Sequence, residues 1–425
     1  MKKLFNILFI FLALNSFSIA NAEVVSEENN TQKFTNEQIE LLKKMQEFTS
    51  VYSIIKNNYV DVKTTEEVIN KAIEGMVSSL DPHSEYLNVE KNKDLNEQTS
   101  GEFGGVGLQV TEDEETKYLR VISPIEGSPA SKEDIKSGDL IIAVNDESTK
   151  ELSLKDAVLK MRGEVGTVVS LTIKRENNVN EIELERAIIE VPSVFSEVKG
   201  GNVGYIKISI FSENTTPGLV KAIEEMEGEN ITGYILDLRN NPGGLLNEAI
   251  SVSDVFLNKV DIVSIKSNTM EQKYTGSDGD LINGKPLIVL VNSGSASASE
   301  IVAGALQDNK RALIIGTRTF GKGSVQSVIP LEELGKSIRL TTARYYTPNK
   351  VSIQGKGIIP DITVRPSKIQ ELDTYDYREE NYKNALDLEE TKEFEITKHK
   401  EYDENYDYQL VRAMDMIKSA SFFSK

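Results

Sequence analysis

"KPLIVLVNSGSASASEIVAGALQ", Lys285 to Gln307, changes character at its middle. Pro286 to Val291 is an apolar, strand-like run, and "SEIVAGALQ" from Ser299 reads as a helix. Between them lie five small residues, Ser295 to Ser299, three of them serines, where a turn needs only one Gly or Asn. A strand running into a helix is half of a β-α-β unit, and the chain repeats it. "VGYIKISIF" leads to "GLVKAIEEME", and "TGYILDLRN" leads to "LLNEAISVSDVFL". The repetition predicts an α/β layer from Val203 to about Thr363.

Working outward, the period changes twice. "FGGVGLQVTED", "YLRVISPIEGSPA", "IKSGDLIIAVNDE" and "VVSLTIKRE" are short strands broken by Gly, Pro and Asp, with one helical piece at Leu154 to Met161. They predict a small β-rich module. Before it, Leu41, Leu42, Met45, Phe48, Val51, Tyr52 and Ile55, then Val68, Ile69, Ala72 and Met76, recur at three and four, which predicts helices that end by Asp81-Pro82. Beyond Pro366 the chain turns acidic and Tyr-rich and closes on a helical pattern, Leu410, Val411, Met414 and Ile417. The fold class is α+β and multidomain. Its expected parts are a leader (1–22), a polar lead (23–35), a helical region (36–100), the β-rich module (101–186), an α/β core (187–365) and an acidic tail with a terminal helix (366–425).

The chain has 425 residues, 39% of them hydrophobic, enough for more than one core. Lys2 and Lys3, the apolar run through Ile7 to Leu14, and Ala20-Asn21-Ala22 form the three regions of a secretory signal peptide cut after Ala22. Export is therefore expected, with the bacterial periplasm as destination. Asn6, Asn15 and Ser16 interrupt the run, so an uncleaved membrane anchor is the minority alternative and membrane association is otherwise at most peripheral. The absence of Cys removes disulfides, thiol nucleophiles and Cys-based metal sites. A net charge of -19 repels nucleic acid and anionic membrane.

Histidine is scarce. His83 in "LDPHSEYL" reads as a turn residue at a helix end, and His399 lies in the charged tail, so a catalytic serine needs another base. A lysine can serve if burial or a cationic neighbour brings its pKa from ~10.4 to about 7–8. Lys322, in the glycine-lined "IIGTRTFGKGSVQSVIPL", fits that description. Gly316 to Gly323 also approaches a phosphate loop, but Gly323 stands where Ser or Thr would hold the metal, and a strand-like run follows where a helix should open. For Ser297 two readings stand level on local sequence. It caps a helix with Glu300 reaching back, or it is an exposed nucleophile with the Ala298 amide beside the site of an oxyanion.

"GSASASEIVAGALQD", "GTRTFGKGSVQ", "DLRNNPGGLL", "YYTPNKVSIQGKGIIPDI" and "LDPHSEYL" together resemble the carboxyl-terminal processing peptidases, the tail-specific serine proteases, over Val51 to Thr363. The resemblance implies Ser297 as nucleophile, Lys322 as base, Gln326 as the residue that holds the lysine, and the amides of Gly243 and Ala298 as oxyanion hole. Positions 322 and 326 share a face of an extended strand but lie ~13 Å apart, so Gln326 reaches Lys322 only if the strand bends at Gly323 or the side chains lean together. An ordinary turn ahead of a helix is the minority alternative for "NNPGG". Lys350 stands where family members often carry glycine.

"EFGGVGLQV" resembles the carboxylate-binding loop of PDZ domains, with Gly105, Val106, Gly107 and Leu108 as candidate amides for a peptide's C-terminus. Arg162, in "KMRGEVG", is either a solvated charge at a helix end or a switch facing the protease core. The expected function is an exported Ser-Lys endopeptidase that takes proteins with a free C-terminus and needs no cofactor, metal or nucleotide. A homo-oligomer or an adaptor stays open as partner. The rivals are a silent PDZ-bearing scaffold that delivers C-termini to a partner protease, and a phosphate-binding α/β enzyme.

Overall fold

The structure, a computed structural model, describes residues 35–331, 334–367 and 407–423. The leader, most of the polar lead and most of the acidic tail lie outside them. The chain divides into one unit over Met1–Ala72 and another over Ile73–Lys425.

In the first unit, helix α1 (Asn36–Asn58) opens on a capping box between Thr35 and Gln38. It buries none of its residues. Leu41, Met45, Phe48 and Ile55 stand exposed along it. Helix α2 (Thr65–Ser78) follows, its start fixed by Thr64 and Glu67.

The next turn is organised by Asp81, whose carboxylate accepts from the amides of His83 (2.8 Å) and Ser84 (3.0 Å). The expected helical region is interrupted here by a strand, β1 (Glu85–Leu87), which pairs antiparallel with a strand some 250 residues away, Glu85 opposite Arg339. Three residues are too few to carry a period. Helix α3 (Val89–Ser100) then ends on Gly101 at φ 75°, a left-handed cap that suits glycine.

The β-rich module is closed at its neck by β2 (Glu102–Gly105) pairing with β9 (Ala187–Glu190). Inside it, β3 (Leu108–Glu112), β4 (Leu119–Pro124), β5 (Leu140–Val144), β7 (Val168–Arg175) and β8 (Asn178–Glu185) form an antiparallel sheet in that spatial order, with β6 (Glu147–Ser148) beside β5. A short α4 (Pro129–Lys132) and α5 (Leu154–Met161) complete it. It has its own core around Leu119, Ile141, Ala157 and Leu171. Strand β3 is an edge of this sheet.

The core contains β10 (Val194–Lys199), β11 (Val203–Ile208), α6 (Thr215–Met226), β12 (Gly233–Asp237), α7 (Leu246–Asp254), β13 (Asp261–Lys266), β14 (Glu271–Thr275), β15 (Leu287–Val291), α8 (Ala298–Asp308), β16 (Leu313–Gly316), β17 (Ser324–Leu331), β18 (Lys336–Tyr346) and β19 (Ile362–Thr363). The sheet β10-β11-β12-β15-β16-β19 is parallel from β11 onward, as strand-helix alternation predicts. The remaining strands form a second, antiparallel sheet, β1-β18-β13-β14, with β17 on β18. The periodicity did not separate that sheet from the α/β layer.

Helices α6, α7 and α8 cover one face of the parallel sheet around Leu219, Val252 and Val302. The terminal helix α9 (Tyr408–Phe423) covers Ile235, Leu290 and Ile315 on another, through Ala413 and Ile417. Just before α9, Asp407 receives Arg239 Nη1 at 2.9 Å and Nη2 at 2.6 Å. Arg239 also holds the buried Asp237, which accepts a further bond from Tyr205 (2.8 Å). Burial is the largest influence and opposes the charge on Asp407, but the Arg239 hydrogen bonds and charge together with the Leu410 and Gln409 amides hold the carboxyl below its ordinary range. Arg239→Ala leaves Asp237, 1% exposed, without its cation, and should destabilise the core by about 3–5 kcal/mol. Urea unfolding measures this; an unchanged midpoint would refute the clamp.

Candidate active site

The three serines after β15 have three different tasks. Ser295 Oγ donates to the Leu238 carbonyl (2.7 Å) and accepts from the Asn292 amide (3.0 Å). Ser299 Oγ donates to the Asn241 carbonyl (3.0 Å). Both are fully buried, and they bolt the turn to the segment after β12. Ser297 alone is half-buried, and it opens α8 with Glu300 in a capping box, its amide donating to the Glu300 carboxylate at 2.9 Å. It sits at φ 54°, ψ -112°, a conformation that costs an L residue ~1–3 kcal/mol and that recurs at functional turns. A strained serine between strand and helix presents its hydroxyl outward.

Gly243 lies against it. A Cβ at Gly243, where φ is 107°, would stand 2.8 Å from both Ser297 Cβ and the Ala296 carbonyl, so only glycine fits. The Gly243 amide donates to Asn241 Oδ1 at 2.9 Å, a bond that an oxyanion would have to share or displace. The amide of Ala298 is the first of α8 and has no intrahelical acceptor.

Glu300 shows what the capping reading left out. Its fully buried carboxylate accepts from the Ser297 amide (2.9 Å), but also from Thr319 Oγ1 (2.5 Å), the Gly321 amide (2.7 Å) and the Lys322 amide (2.8 Å). One side chain thus ties the serine turn to the loop that carries the lysine. Ser297, Lys322, Gln326, Arg339 and Tyr345 line a single cavity of about 370 Å³. Burial, then the Arg339 charge, push the Lys322 ammonium below its ordinary pKa, while Glu300 and Asp81 oppose them. Gln326 Nε2 donates to Ser324 Oγ (2.9 Å) and Thr341 Oγ1 (3.2 Å), at a bulge where β17 slips against β18. Tyr345 is buried beside them; burial first, then Glu300, raise its phenol well above the usual range, and Ser297 acts against them. The Tyr345 hydroxyl has no partner in good hydrogen-bond geometry among the described residues. Burial, then the Lys322 charge, lower the His83 imidazole, so this turn residue stands within electrostatic reach of the lysine. A strand, not a helix, follows Lys322, which leaves no phosphate loop at Gly316 to Gly323.

In the β-rich module, the carbonyls of Val106 and Gly107 are bound inward by the Ala130 and Ile125 amides. Gly107 has φ 74°, Gly105 pairs with Ala187 at the neck, and Leu108 opens the edge strand β3. Arg162 ends α5 and donates to Glu97 of α3 at 3.0 Å, with its guanidinium 3.9 Å from the centroid of the Phe103 ring. The neighbouring α3 residues Leu95, Gln98 and Thr99 line the Ser297 cavity. This shared wall was not visible in the sequence, because α3 is polar almost throughout and has no apolar stripe. Among the described residues, no cluster of side chains could hold a metal ion, and no helix is long and apolar enough to cross a membrane.

A half-buried serine in a strained strand-to-helix turn, beside a cavity lined by Lys322 and Arg339, suits a serine hydrolase, and comparison with known proteins makes it a serine peptidase. Residues 202–364 match peptidase family S41, 94–174 match the PDZ domain, and 9–91 match the N-terminal domain of the activating protease CtpB. The chain is 43% identical over 383 residues to a carboxy-terminal-processing protease of Bartonella bacilliformis, covering 88% of this chain and 85% of the relative. It is 35% identical to the carboxy-terminal processing protease CtpA of Bacillus subtilis, over 85% of this chain and 78% of that one. A solved photosystem II D1 C-terminal processing protease is 30% identical, covering 78% of this chain and 94% of its own, with a TM-score of 0.45. The chain belongs to the S41 family of carboxy-terminal-processing serine proteases.

Glu300→Gln should separate the two halves of the site. The new amide group must face N–H donors that the carboxylate now accepts, at a cost of about 2–5 kcal/mol. Loss of stability together with loss of turnover is expected. A variant with unchanged unfolding midpoint and unchanged rate would remove Glu300 as the tie.

Proposed function

We propose that the chain is an endopeptidase of the Ser-Lys type that engages its substrates by their C-termini. The observation that carries this reading is the shared cavity of Ser297 and Lys322, fixed through Glu300, with the lysine pKa lowered by burial. Neutral Lys322 takes the proton as Ser297 Oγ attacks the scissile carbonyl, and returns it to the leaving amine. Water then repeats the sequence on the acyl-enzyme. The Ala298 amide and, once released from Asn241, the Gly243 amide stabilise the oxyanion. Gln326 orients the lysine.

The PDZ module supplies selection. The open edge of β3 accepts an added strand, and the loop over Gly105, Val106, Gly107 and Leu108 receives the terminal carboxylate. The leader argues for export, with the bacterial periplasm as the destination. The exposed apolar positions of α1 offer a surface for a protein partner, a second copy of the chain or an adaptor. Against a silent scaffold stands the joint presence of Ser297 and Lys322 in one cavity.

Because the lowered pKa increases the neutral fraction as pH rises toward it, turnover should climb with pH through that value and fall away below it. Lys322→Arg should be nearly inactive, since guanidinium does not deprotonate in proteins. Full activity in that variant would end the lysine-base mechanism. Tail recognition is tested separately: amidating a substrate's C-terminus removes a charge-assisted hydrogen bond of ~1.5–3 kcal/mol, a loss of roughly tenfold to hundredfold in kcat/KM. Equal cleavage of acid and amide would leave the protease without a C-terminal reader.

A further inference from the structure

We infer that Asp81 is a positioning residue for the base, acting through Thr341 and Gln326 to fix which end of the Gln326 carboxamide faces the lysine. The inference rests on the Ser-Lys reading above. Its geometry is a directed chain of hydrogen bonds. Asp81, ionised, can only accept. Thr341 Oγ1 lies 3.1 Å from Asp81 Oδ1, so the threonine hydroxyl spends its single proton there. Its lone pairs are then open to a donor, and Gln326 Nε2 stands 3.2 Å away. The second proton of that amide group goes to Ser324 Oγ at 2.9 Å. With Nε2 spent twice, the carboxamide turns its oxygen to the other side, and an oxygen is the end that an ammonium requires. The charge at Asp81 therefore sets the polarity of the amide two hydrogen bonds away.

The anchor of this chain is rigid. Asp81 also accepts from the His83 and Ser84 amides and from Ser84 Oγ (2.6 Å). Ser84 Oγ in turn accepts from the Thr341 amide at 3.1 Å. Two bonds thus hold the turn to one residue of β18. Two positions earlier on the same strand, Arg339 is held by Glu85 at 2.8 Å. The charges acting on Lys322 are Arg339 on one side of the balance and Glu300 and Asp81 on the other, with the His83 imidazole, itself lowered by burial and by Lys322, nearby. Asp81 contributes twice: through the amide, and through its own charge, which favours protonated Lys322.

The two contributions have separate signatures in the full chain, measured as kcat and KM on a disordered casein from about pH 5 to 10. Thr341→Val cuts the chain and leaves the Asp81 charge in place. It should lower kcat about threefold to tenfold, the worth of one hydrogen bond, with KM within about twofold and the acid limb of the pH profile unmoved. Thr341→Ser restores the hydroxyl and should restore kcat. Asp81→Asn keeps an acceptor for the turn but removes the charge and lets the relay reverse; kcat should fall and the acid limb should move to lower pH. Wild-type kcat in a folded Thr341→Val, or no rescue by serine, overturns the inference. If the valine variant does not fold, Asp81→Asn with unchanged kcat and unchanged acid limb overturns it instead. Lys322→Ala with retained turnover would refute the Ser-Lys reading itself, an outcome independent of position 341.

Discussion

The Glu300 carboxylate is the contact on which the site depends. It is fully buried, and a buried charge is tolerated only when its lone pairs are filled. Here one oxygen takes the Ser297 and Lys322 amides and the other takes Thr319 and Gly321. The consequence is geometric. The serine belongs to the turn before α8 and the lysine to a loop more than twenty residues further on, yet both backbones are measured from one carboxylate. The strain at Ser297 is sustained in the same way: its amide is held by Glu300, and its neighbours Ser295 and Ser299 are fastened to the segment after β12.

The division of labour between the two sheets follows. The parallel sheet ends in the turns that carry Ser297 and Gly243, the usual place for a site in an α/β layer. The antiparallel sheet carries Gln326, Arg339 and Thr341 on the β17–β18 hairpin. Ser297 on one sheet and the surroundings of Lys322 on another require cross-links between them, and these are the polar bonds of Glu300, whereas the Asp81 turn pins β18 within the antiparallel sheet.

Strand-helix alternation exposed the parallel sheet in the sequence, because burial of both sheet faces writes long apolar runs such as Leu287–Val291. The helical spacing of Leu154 to Met161 and of the terminal helix was legible for the same reason. The small-residue block and the F-G-K-G stretch pointed to Ser297 and Lys322, and both residues line one cavity. What stayed hidden depends on long-range pairing. β1 is three residues long and gains its identity only from β18. Glu300 matches a local capping pattern so well that its longer bonds leave no trace in spacing. The bonds of the Gln326 amide nitrogen to Ser324 and Thr341, at the bulge in β17, depend on the pairing with β18 and could not be read from spacing. The Gly243 amide carries a bond to Asn241 that no motif announces.

The link between the PDZ module and the cavity is of a different physical kind from those cross-links. Arg162 and Glu97 form a pair that is partly exposed, with side chains 38% and 18% accessible, and such pairs are worth ~0–1 kcal/mol after solvent screening. Stacking of the guanidinium on Phe103 adds a contribution of similar size. Bonds of that strength can be exchanged by a ligand whose affinity differs between two arrangements by a kcal/mol or so. The buried Glu300 tie cannot be exchanged so cheaply. The molecule therefore places its weak contacts where α3 meets the PDZ module and its strong ones between Ser297 and the Lys322 loop. A movement of α3 would change the wall formed by Leu95, Gln98 and Thr99 while the spacing of Ser297 and Lys322 stays set. The wall of the cavity and the spacing of Ser297 and Lys322 are held by separate interactions, and only the first are weak enough to be exchanged for a kcal/mol or so.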